Sequence, residues 1–273
     1  MTNEILVLGA TGKTGKRVAE RLQKREIPVR AGSRNGNPPF DWDEPGNWTA
    51  VLNGIQKAYV SYYPDFMAPG ALDKIGRFVE TAKSSGVQQL VFLSGRGEKE
   101  AGEAERIVTN SGLHWTVVRS SWFMQNFSEF FFLDNILGGC LVVPEPKALE
   151  PFVDLDDLAD VVVEALTDDR HKGKIYELTG PELLSFKDTT RMISEAINRP
   201  VGYEEADMDG YTKMLRDYQV PEDIIWLMQY LFREVLDGRN ESITHDIEKV
   251  TGRKSTTFGE YAIKASRTGV WNV

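Results

Sequence analysis

The chain has 273 residues, which is enough for one large domain or for one domain with a smaller appendage. Hydrophobic residues make up 41% and charged residues 27% of it, an ordinary balance for a globular enzyme. The formal net charge of −9 argues against a protein that binds nucleic acid by direct contact between basic residues and phosphates.

Cysteine and histidine are too few and too scattered for a structural metal or a disulfide framework. Cys140 is the single cysteine, and the three histidines are far apart in sequence, so we expect no metal site. No apolar run reaches the about 18 residues that a membrane-spanning helix needs, and no secretory signal pattern is present. We therefore expect a soluble, cytoplasmic protein without membrane contact.

Apolar runs typical of strands alternate with amphipathic segments typical of helices over the first two thirds of the chain. Strands are expected at residues 5–8, 28–33, 40–42, 57–62, 90–93, 115–118 and 174–178. Helices are expected at residues 14–24, 48–52, 69–84, 100–109 and 155–166. This alternation indicates an α/β fold, a Rossmann-type doubly wound parallel sheet with helices on both sides.

The pattern changes after Gly180, where the chain becomes mostly helical. We therefore predict a Rossmann-type domain over residues 1–180 and a smaller, mostly helical C-terminal lobe over residues 181–273, with a cleft between them at the carboxyl edge of the sheet. The alternative is that the segment after the strand at 115–118 also contributes to the second lobe. The segment 221–236 is apolar nearly all round, which predicts a buried helix. A lid or a partner surface is the alternative for that helix.

A glycine-rich turn, Gly9-Ala10-Thr11-Gly12-Lys13-Thr14-Gly15, joins the first predicted strand to the first predicted helix. Glycine lets the backbone approach a pyrophosphate, and the free N–H groups of the helix start meet the anion at the positive end of the helix dipole. At the first strand-to-helix junction of an alternating chain, this spacing predicts a dinucleotide site. The contacts expected here are Gly9, Thr11, Gly12, Lys13, Thr14 and Gly15.

The end of the second predicted strand indicates which dinucleotide is preferred. NAD sites usually carry an acidic residue about 20 residues beyond the loop, whereas residues 31–35 read Ala-Gly-Ser-Arg-Asn. Ser33 and the guanidinium of Arg34 suit a 2′-phosphate, with Lys13 as a second positive charge. We therefore expect NADP(H) to be preferred over NAD(H); the alternative is that Arg34 is only a solvated loop residue.

Several blocks in fixed order carry a family resemblance. They are the glycine turn, Leu93-Ser94-Gly95, Val118-Arg119-Ser120-Ser121-Trp122-Phe123-Met124-Gln125-Asn126-Phe127, and Phe152-Val153-Asp154-Leu155-Asp156-Asp157. Together they resemble the NmrA-like branch of the atypical short-chain dehydrogenase/reductases. Within that branch the chain is similar to the NADPH-dependent quinone, azo-dye and triphenylmethane reductases and to festuclavine dehydrogenase-like proteins.

The resemblance implies roles for residues near the carboxyl ends of the strands. Asp41 and Trp42 would lie near the adenine, and Ser61, Tyr62, Tyr63 and Ser94 would contact the rest of the cofactor. The implied substrate pocket contains Gly95, Ser120, Trp122, Phe123, Met124 and Asn126. Among the aromatic residues between 122 and 132 we expect both an apolar wall for a flat substrate and core packing, with Trp122, Phe123 and Met124 facing the ligand.

The tyrosine–lysine pair of ordinary short-chain dehydrogenases is missing. No tyrosine is followed four residues later by lysine, so the catalytic residue stays unassigned, and carbonyl–alcohol chemistry by the usual route is doubtful. Glu98, Glu100, Glu103 and Glu105 are expected to form a solvated face.

Two functions stay open. One is hydride transfer from NADPH to a small flat apolar acceptor, such as a quinone, an azo or triphenylmethane dye, or an iminium. The other is a non-catalytic NADP(H) sensor that acts through a protein partner; a homo-oligomer is also left open.

Overall fold

The computed structural model describes residues 4–145 and 148–273. The chain divides into two compact units that interleave along the sequence. Unit 1 contains the described chain up to Ser120, together with Leu155–Leu178 and Asp246–Arg253. Unit 2 contains the described parts of Ser121–Asp154, Thr179–His245 and Lys254–Val273.

The described residues form eight strands. They are β1 (Ile5–Leu8), β2 (Val29–Gly32), β3 (Lys57–Val60), β4 (Gln89–Gly95), β5 (His114–Ser120), β6 (Cys140–Pro144), β7 (Lys174–Leu178) and β8 (Gly202–Ala206). Six of them form a parallel sheet in unit 1 in the order β2-β1-β3-β4-β5-β7. In unit 2, β6 pairs with β8 in a separate parallel sheet.

Eleven α-helices accompany these strands in the described residues. They are α1 (Lys13–Lys24), α2 (Trp48–Leu52), α3 (Ala71–Ser84), α4 (Lys99–Thr109), α5 (Leu133–Leu137), α6 (Leu155–Thr167), α7 (Phe186–Ile197), α8 (Met208–Asp217), α9 (Glu222–Tyr230), α10 (Asp246–Thr251) and α11 (Phe258–Ser266). Short 3-10 turns cover Pro45–Asn47, Met124–Phe127 and Asp169–His171, and a π turn covers Leu231–Val235. None of the helices in the described ranges combines the length and apolar character needed to cross a membrane.

The order of strands in unit 1 reverses beside β1. Val7 of β1 pairs with Ala31 of β2 on one side and with Tyr59 of β3 on the other. The chain therefore moves one way across the sheet from β1 to β2, and the other way from β3 onward. In open α/β sheets, ligands bind beyond the carboxyl ends of the strands at such a reversal.

Each unit has its own apolar core. All four side chains of β1 are buried, as expected for a strand covered on both faces, and the core beside them includes Trp48 of α2 and Phe78 of α3. The core of unit 2 is strongly aromatic. It includes Trp122, Phe127, Phe132, Phe152, Phe186, Phe232 and Phe258.

The predicted fold class is confirmed: a parallel, Rossmann-type sheet carries most of the predicted strands. The predicted strand at 40–42 is wrong, because Phe40 and Trp42 pack into the core of unit 1 from an irregular segment without pairing to another strand. Strands β6 and β8 were not predicted. The described part of Ser121–Asp154 belongs to unit 2, as the alternative boundary allowed; the domain bounds 1–180 and 181–273 and the roles assigned to them stay predictions.

The predicted helix at 221–236 is divided into α9 and the π turn. Ile225, Met228 and Phe232 are buried, but the side chain of Trp226 is 46% exposed. Its ring stacks on Tyr230 with centroids 6.3 Å apart. The expectation that the whole helix is buried is therefore wrong at Trp226, whose ring stacks on Tyr230 and is partly exposed.

Candidate functional site

The glycine loop between β1 and α1 folds back on itself closely. Gly9 has a φ of +65°, a left-handed conformation that favours glycine. Its carbonyl oxygen accepts a hydrogen bond from the N–H of Gly12 at 2.8 Å. A β-carbon at Gly15 would lie only 2.2 Å from that same oxygen. The glycines at positions 9 and 15 are therefore required by the turn and by the packing of α1 against β1.

The start of α1 is suited to an anion. Gly12 is its N-cap residue and supplies no side-chain cap, and the first turn contains no acidic residue. The first N–H groups of a helix lack intrahelical partners, and the helix dipole adds positive potential there. Thr14 and Gly15 are buried, whereas Thr11 is exposed and Lys13 is half-buried. The loop thus presents backbone donors and two polar side chains at one place.

The end of β2 presents a guanidinium to solvent. Ser33 accepts backbone hydrogen bonds from Gly36 and Phe40, each at 2.9 Å, which closes a tight turn. Arg34 lies in this turn and is exposed. Within the described ranges no hydrogen bond or ion pair of its guanidinium is found. The side chain is therefore available for an anionic group.

Asp41 and Trp42 lie in a segment fixed by aromatic packing. The ring of Trp42 is 4.9 Å from that of Tyr62 between centroids. Trp48 donates its indole N–H to the carbonyl oxygen of Asp41 at 2.7 Å, and the carboxylate of Asp41 accepts from the N–H of Asp43 at 3.0 Å. Asp41 and Trp42 are therefore held in place by ring packing and hydrogen bonds within unit 1.

The residues after β3 sit at the reversal of strand order. The hydroxyl of Ser61 donates to the carbonyl oxygen of Leu8 at 3.2 Å and ties the ends of β3 and β1 together. The hydroxyl of Tyr62 is buried and has no hydrogen-bond partner among the described residues, and burial raises its pKa. Tyr63 is 70% exposed. Ser61 thus borders the glycine loop, since a β-carbon at Gly9 would lie 2.8 Å from Ser61 Oγ.

Ser94 near the end of β4 belongs to a buried polar network. Its hydroxyl donates to Glu105 at 2.7 Å. Arg119 of β5 donates to both carboxylate oxygens of Glu105, at 2.8 and 2.7 Å, and to Glu177 at 3.0 Å. The hydrogen bonds to Glu105, above all, raise the pKa of Arg119. The Ser94 hydroxyl is therefore engaged by Glu105, and contact of Ser94 with the cofactor stays a prediction.

Gly95 and Ser120 lie opposite each other in the register of β4 and β5. Glu98 follows them in the loop before α4, and its carboxylate packs on Gly95. Burial, with smaller contributions from Asp65 and Glu100, raises the pKa of Glu98 to about 8. Burial also raises the pKa of Asp65.

The expectation of a solvated glutamate face at 98–105 is therefore wrong at two positions. Glu105 is buried, and Glu98 turns onto the strand end. Sequence reasoning missed Glu98. The available signal was its position, three residues after a glycine that ends a strand and directly before a helix.

The predicted pocket residues of unit 2 are mostly interior. Trp122, Met124 and Asn126 are at most 9% exposed, and Trp122 stacks on Phe132 with centroids 6.4 Å apart. Phe123 is half-buried and is the most accessible of the four. Contact of these four residues with a ligand stays a prediction.

Two hydrogen bonds to buried acids hold this segment. The N–H of Trp122 donates to Glu150 at 3.1 Å, and the side-chain amide of Gln125 donates to Asp154 at 2.7 Å. Both carboxylates are 1% exposed. The described residues contain no group of three or more His, Cys, Asp or Glu that could hold a metal ion.

The six-stranded sheet and the glycine loop define the class, a Rossmann-type α/β protein. The chain belongs to the NmrA-like family, whose model matches residues 75–262. The predicted resemblance is therefore confirmed.

Two relatives resemble the chain over nearly its whole length. An agroclavine dehydrogenase of Claviceps fusiformis is 28% identical, with 98% of each chain covered. An NAD(P)H azoreductase of Xenophilus azovorans is also 28% identical, covering 94% of this chain and 96% of its own.

Solved structures share the fold. A nucleoside-diphosphate-sugar epimerase of Staphylococcus aureus superposes with a TM-score of 0.82 at 19% identity, covering 96% of this chain and 100% of its own. An NADPH-dependent quinone oxidoreductase of Escherichia coli, with NADPH, gives 0.80 at 18% identity, covering 97% and 99%. A Citrobacter sp. triphenylmethane reductase, with NADP(H), gives 0.78 at 18% identity, covering 95% and 99%.

Proposed function

We propose that the protein is an NADPH-dependent reductase that transfers hydride to a small, flat, apolar acceptor. The observation that carries this proposal is the glycine loop at the reversal of strand order, with its tight Gly9–Gly15 packing and its uncapped helix start. The azoreductase and agroclavine dehydrogenase relatives support reductase or dehydrogenase chemistry.

The proposed cofactor is a nicotinamide dinucleotide, which supplies a hydride when bound. The N–H groups at the start of α1 would bind its pyrophosphate, and Ser61 and Tyr62 would border its middle. Arg34, exposed and without an ion pair among the described residues, would bind the 2′-phosphate of NADP(H). The lack of a carboxylate at the end of β2 supports the same preference over NAD(H).

The proposed acceptors are quinones, azo dyes, triphenylmethane dyes and iminium ions. Gly95 and Ser120, opposite each other at the ends of β4 and β5, would contribute to the acceptor site. In unit 2, the half-buried Phe123 and the nearly fully buried Trp122, Met124 and Asn126 stay candidate contacts from the family resemblance alone. Sugar epimerisation is disfavoured because the chain has no Tyr-x-x-x-Lys pair to move the hydroxyl proton.

The test is turnover of NADPH and NADH, followed by the loss of dihydronicotinamide absorbance, with one acceptor from each class. We expect oxidation of NADPH with at least one acceptor and a lower rate with NADH. Tight NADP(H) binding without turnover of any acceptor would contradict the reductase and indicate a cofactor sensor instead.

A further inference from the structure

The carboxylate of Glu98 occupies the space that a side chain at position 95 would fill. A β-carbon on Gly95 would lie 2.1 Å from Glu98 Oε1 and 2.5 Å from its Cδ. Gly95 is the last residue of β4. Glycine at this position therefore lets a carboxylate lie directly against the carboxyl end of a central strand, the edge at which open α/β sheets bind their ligands.

The side chain of Glu98 does not cap helix α4. Glu98 is the N-cap residue of α4, a position where Ser, Thr, Asp or Asn normally accepts a hydrogen bond from the first turn, but its side chain makes no such bond. Nor does its carboxylate have another hydrogen bond or ion pair within the described ranges. Glu105, eleven residues from Ser94 along the same segment, accepts from both Ser94 and Arg119.

The charged groups that act on Glu98 are both acids. Asp65 follows β3, Glu100 lies in the first turn of α4, and each disfavours the ionised form of Glu98. The guanidinium of Arg119 is bound to Glu105 and Glu177, and Arg96 lies 3.4 Å from Glu177. Burial and these like charges hold the pKa of Glu98 at about 8, so that its carboxyl carries a proton at neutral pH.

We propose that Glu98 is the acid that protonates the acceptor as it is reduced. This inference rests on the proposed reductase function and supplies the proton donor that the missing tyrosine–lysine pair leaves unassigned. A quinone or azo acceptor gains two electrons as a hydride from NADPH, and it also needs one proton on its oxygen or nitrogen. The O–H bond of Glu98 breaks to give that proton, and water then returns one to the carboxylate.

Acceptors differ in their need for this proton. A cationic triphenylmethane dye is reduced by hydride alone, since the hydride neutralises its positive charge. A quinone needs both hydride and proton. Replacement of Glu98 by glutamine keeps the size of the side chain and removes the acid, so it should separate the two reactions.

The experiment compares wild type, Glu98→Gln and Glu103→Gln with a quinone and with a cationic triphenylmethane dye. Glu103 is the matched control because it lies one turn further along α4 and pairs with Arg106 at the surface. We expect Glu98→Gln to lower quinone turnover by about tenfold to a hundredfold and to leave dye turnover within about twofold of the wild type. Quinone turnover by the wild type should decline above about pH 8. This decline should be absent from Glu98→Gln. Glu103→Gln should match the wild type.

Equal retention or equal loss of both reactions in Glu98→Gln would overturn the proposal. Wild-type protein that turns over no acceptor at all would instead overturn the reductase function. A second measurement does not depend on turnover. In the cofactor-free wild type, the infrared band of a protonated carboxyl should disappear between pH 6.5 and pH 9.5, around the pKa of about 8. The same change should be absent from Glu98→Gln. A disappearing carboxyl band in that variant would also overturn the proposal.

Discussion

A β-carbon at Gly15 would lie 2.2 Å from the carbonyl oxygen of Gly9 and 2.6 Å from its carbonyl carbon. Because both atoms belong to the backbone of the loop, no side-chain rotation can relieve such a contact. Gly15 therefore fixes how closely α1 approaches β1, and with it the direction of the N–H groups that we propose for the pyrophosphate.

Gly15→Ala should consequently lower the free energy of unfolding by about 1–3 kcal/mol through overpacking, and it should weaken NADPH binding. Gly76→Ala in α3 is the control, because a β-carbon there meets nothing within 4 Å; it should stabilise the helix by about 0.5–1 kcal/mol. Urea unfolding measures both. Equal stability of the two variants would contradict the assigned packing.

Arg34→Glu should weaken the affinity for NADPH by about tenfold to a hundredfold, since a charge-assisted contact with the 2′-phosphate is lost and a repulsion is gained. The affinity for NADH should change little. Lys24→Glu provides the same charge change at the far end of α1. Calorimetric titration of the three proteins tests the preference, and an unchanged NADPH affinity in Arg34→Glu would remove Arg34 from the site.

Tyr62→Phe should leave the stability of the cofactor-free protein unchanged or raise it by about 1 kcal/mol, because the buried hydroxyl has no hydrogen-bond partner among the described residues. Tyr261→Phe should have the opposite effect, a loss of about 1 kcal/mol, since that hydroxyl bonds to Ser128 at 2.7 Å. Thermal unfolding distinguishes the two. A larger loss for Tyr62→Phe would mean that its hydroxyl is satisfied after all.

The stability of the protein should depend on pH through Glu98. Its pKa is about 8 in the folded protein against a normal value of 4.5, so the folded state binds more protons between these values and stability falls as pH rises through them. From pH 5 to pH 8 the wild type should therefore lose about 3–4 kcal/mol of unfolding free energy relative to Glu98→Gln. A pH-independent difference would show that Glu98 ionises normally.

Much of unit 1 could be predicted because its signals are local. The glycine turn, the apolar run of β1 and the amphipathic α3 each depend on neighbours within a few residues, and the alternation of strands and helices then restricts the topology. The pairing of β6 with β8 could not be predicted in this way. These short strands come from distant parts of the chain, and nothing local identifies one as the partner of the other.

The burial and contacts of individual side chains also could not be predicted from the sequence. Glu98 and Glu103 lie on the same charged segment, yet one packs on the end of β4 and the other pairs at the surface. The three-dimensional position of Gly95 beside Glu98 is what distinguishes them. The aromatic run after Ser121 had two interpretations from sequence, a ligand wall or a core, and the burial of Trp122 and Met124 favours the core for those two.

The central claim is that the glycine loop binds a dinucleotide, and Gly12→Asp tests it most directly. Gly12 has an extended backbone, with φ −84° and ψ 173° at the N-cap of α1, where aspartate is a favoured residue. A β-carbon there would lie 3.2 Å from the carbonyl oxygen of Gly9, which a small adjustment relieves. The variant should therefore fold, while its carboxylate competes with the pyrophosphate for the same N–H groups. Calorimetric titration should show that NADPH binds the wild type, and that its affinity for a folded Gly12→Asp is at least about a hundredfold lower. Equal affinities of the two proteins, or no binding of NADPH to the wild type, would contradict the claim.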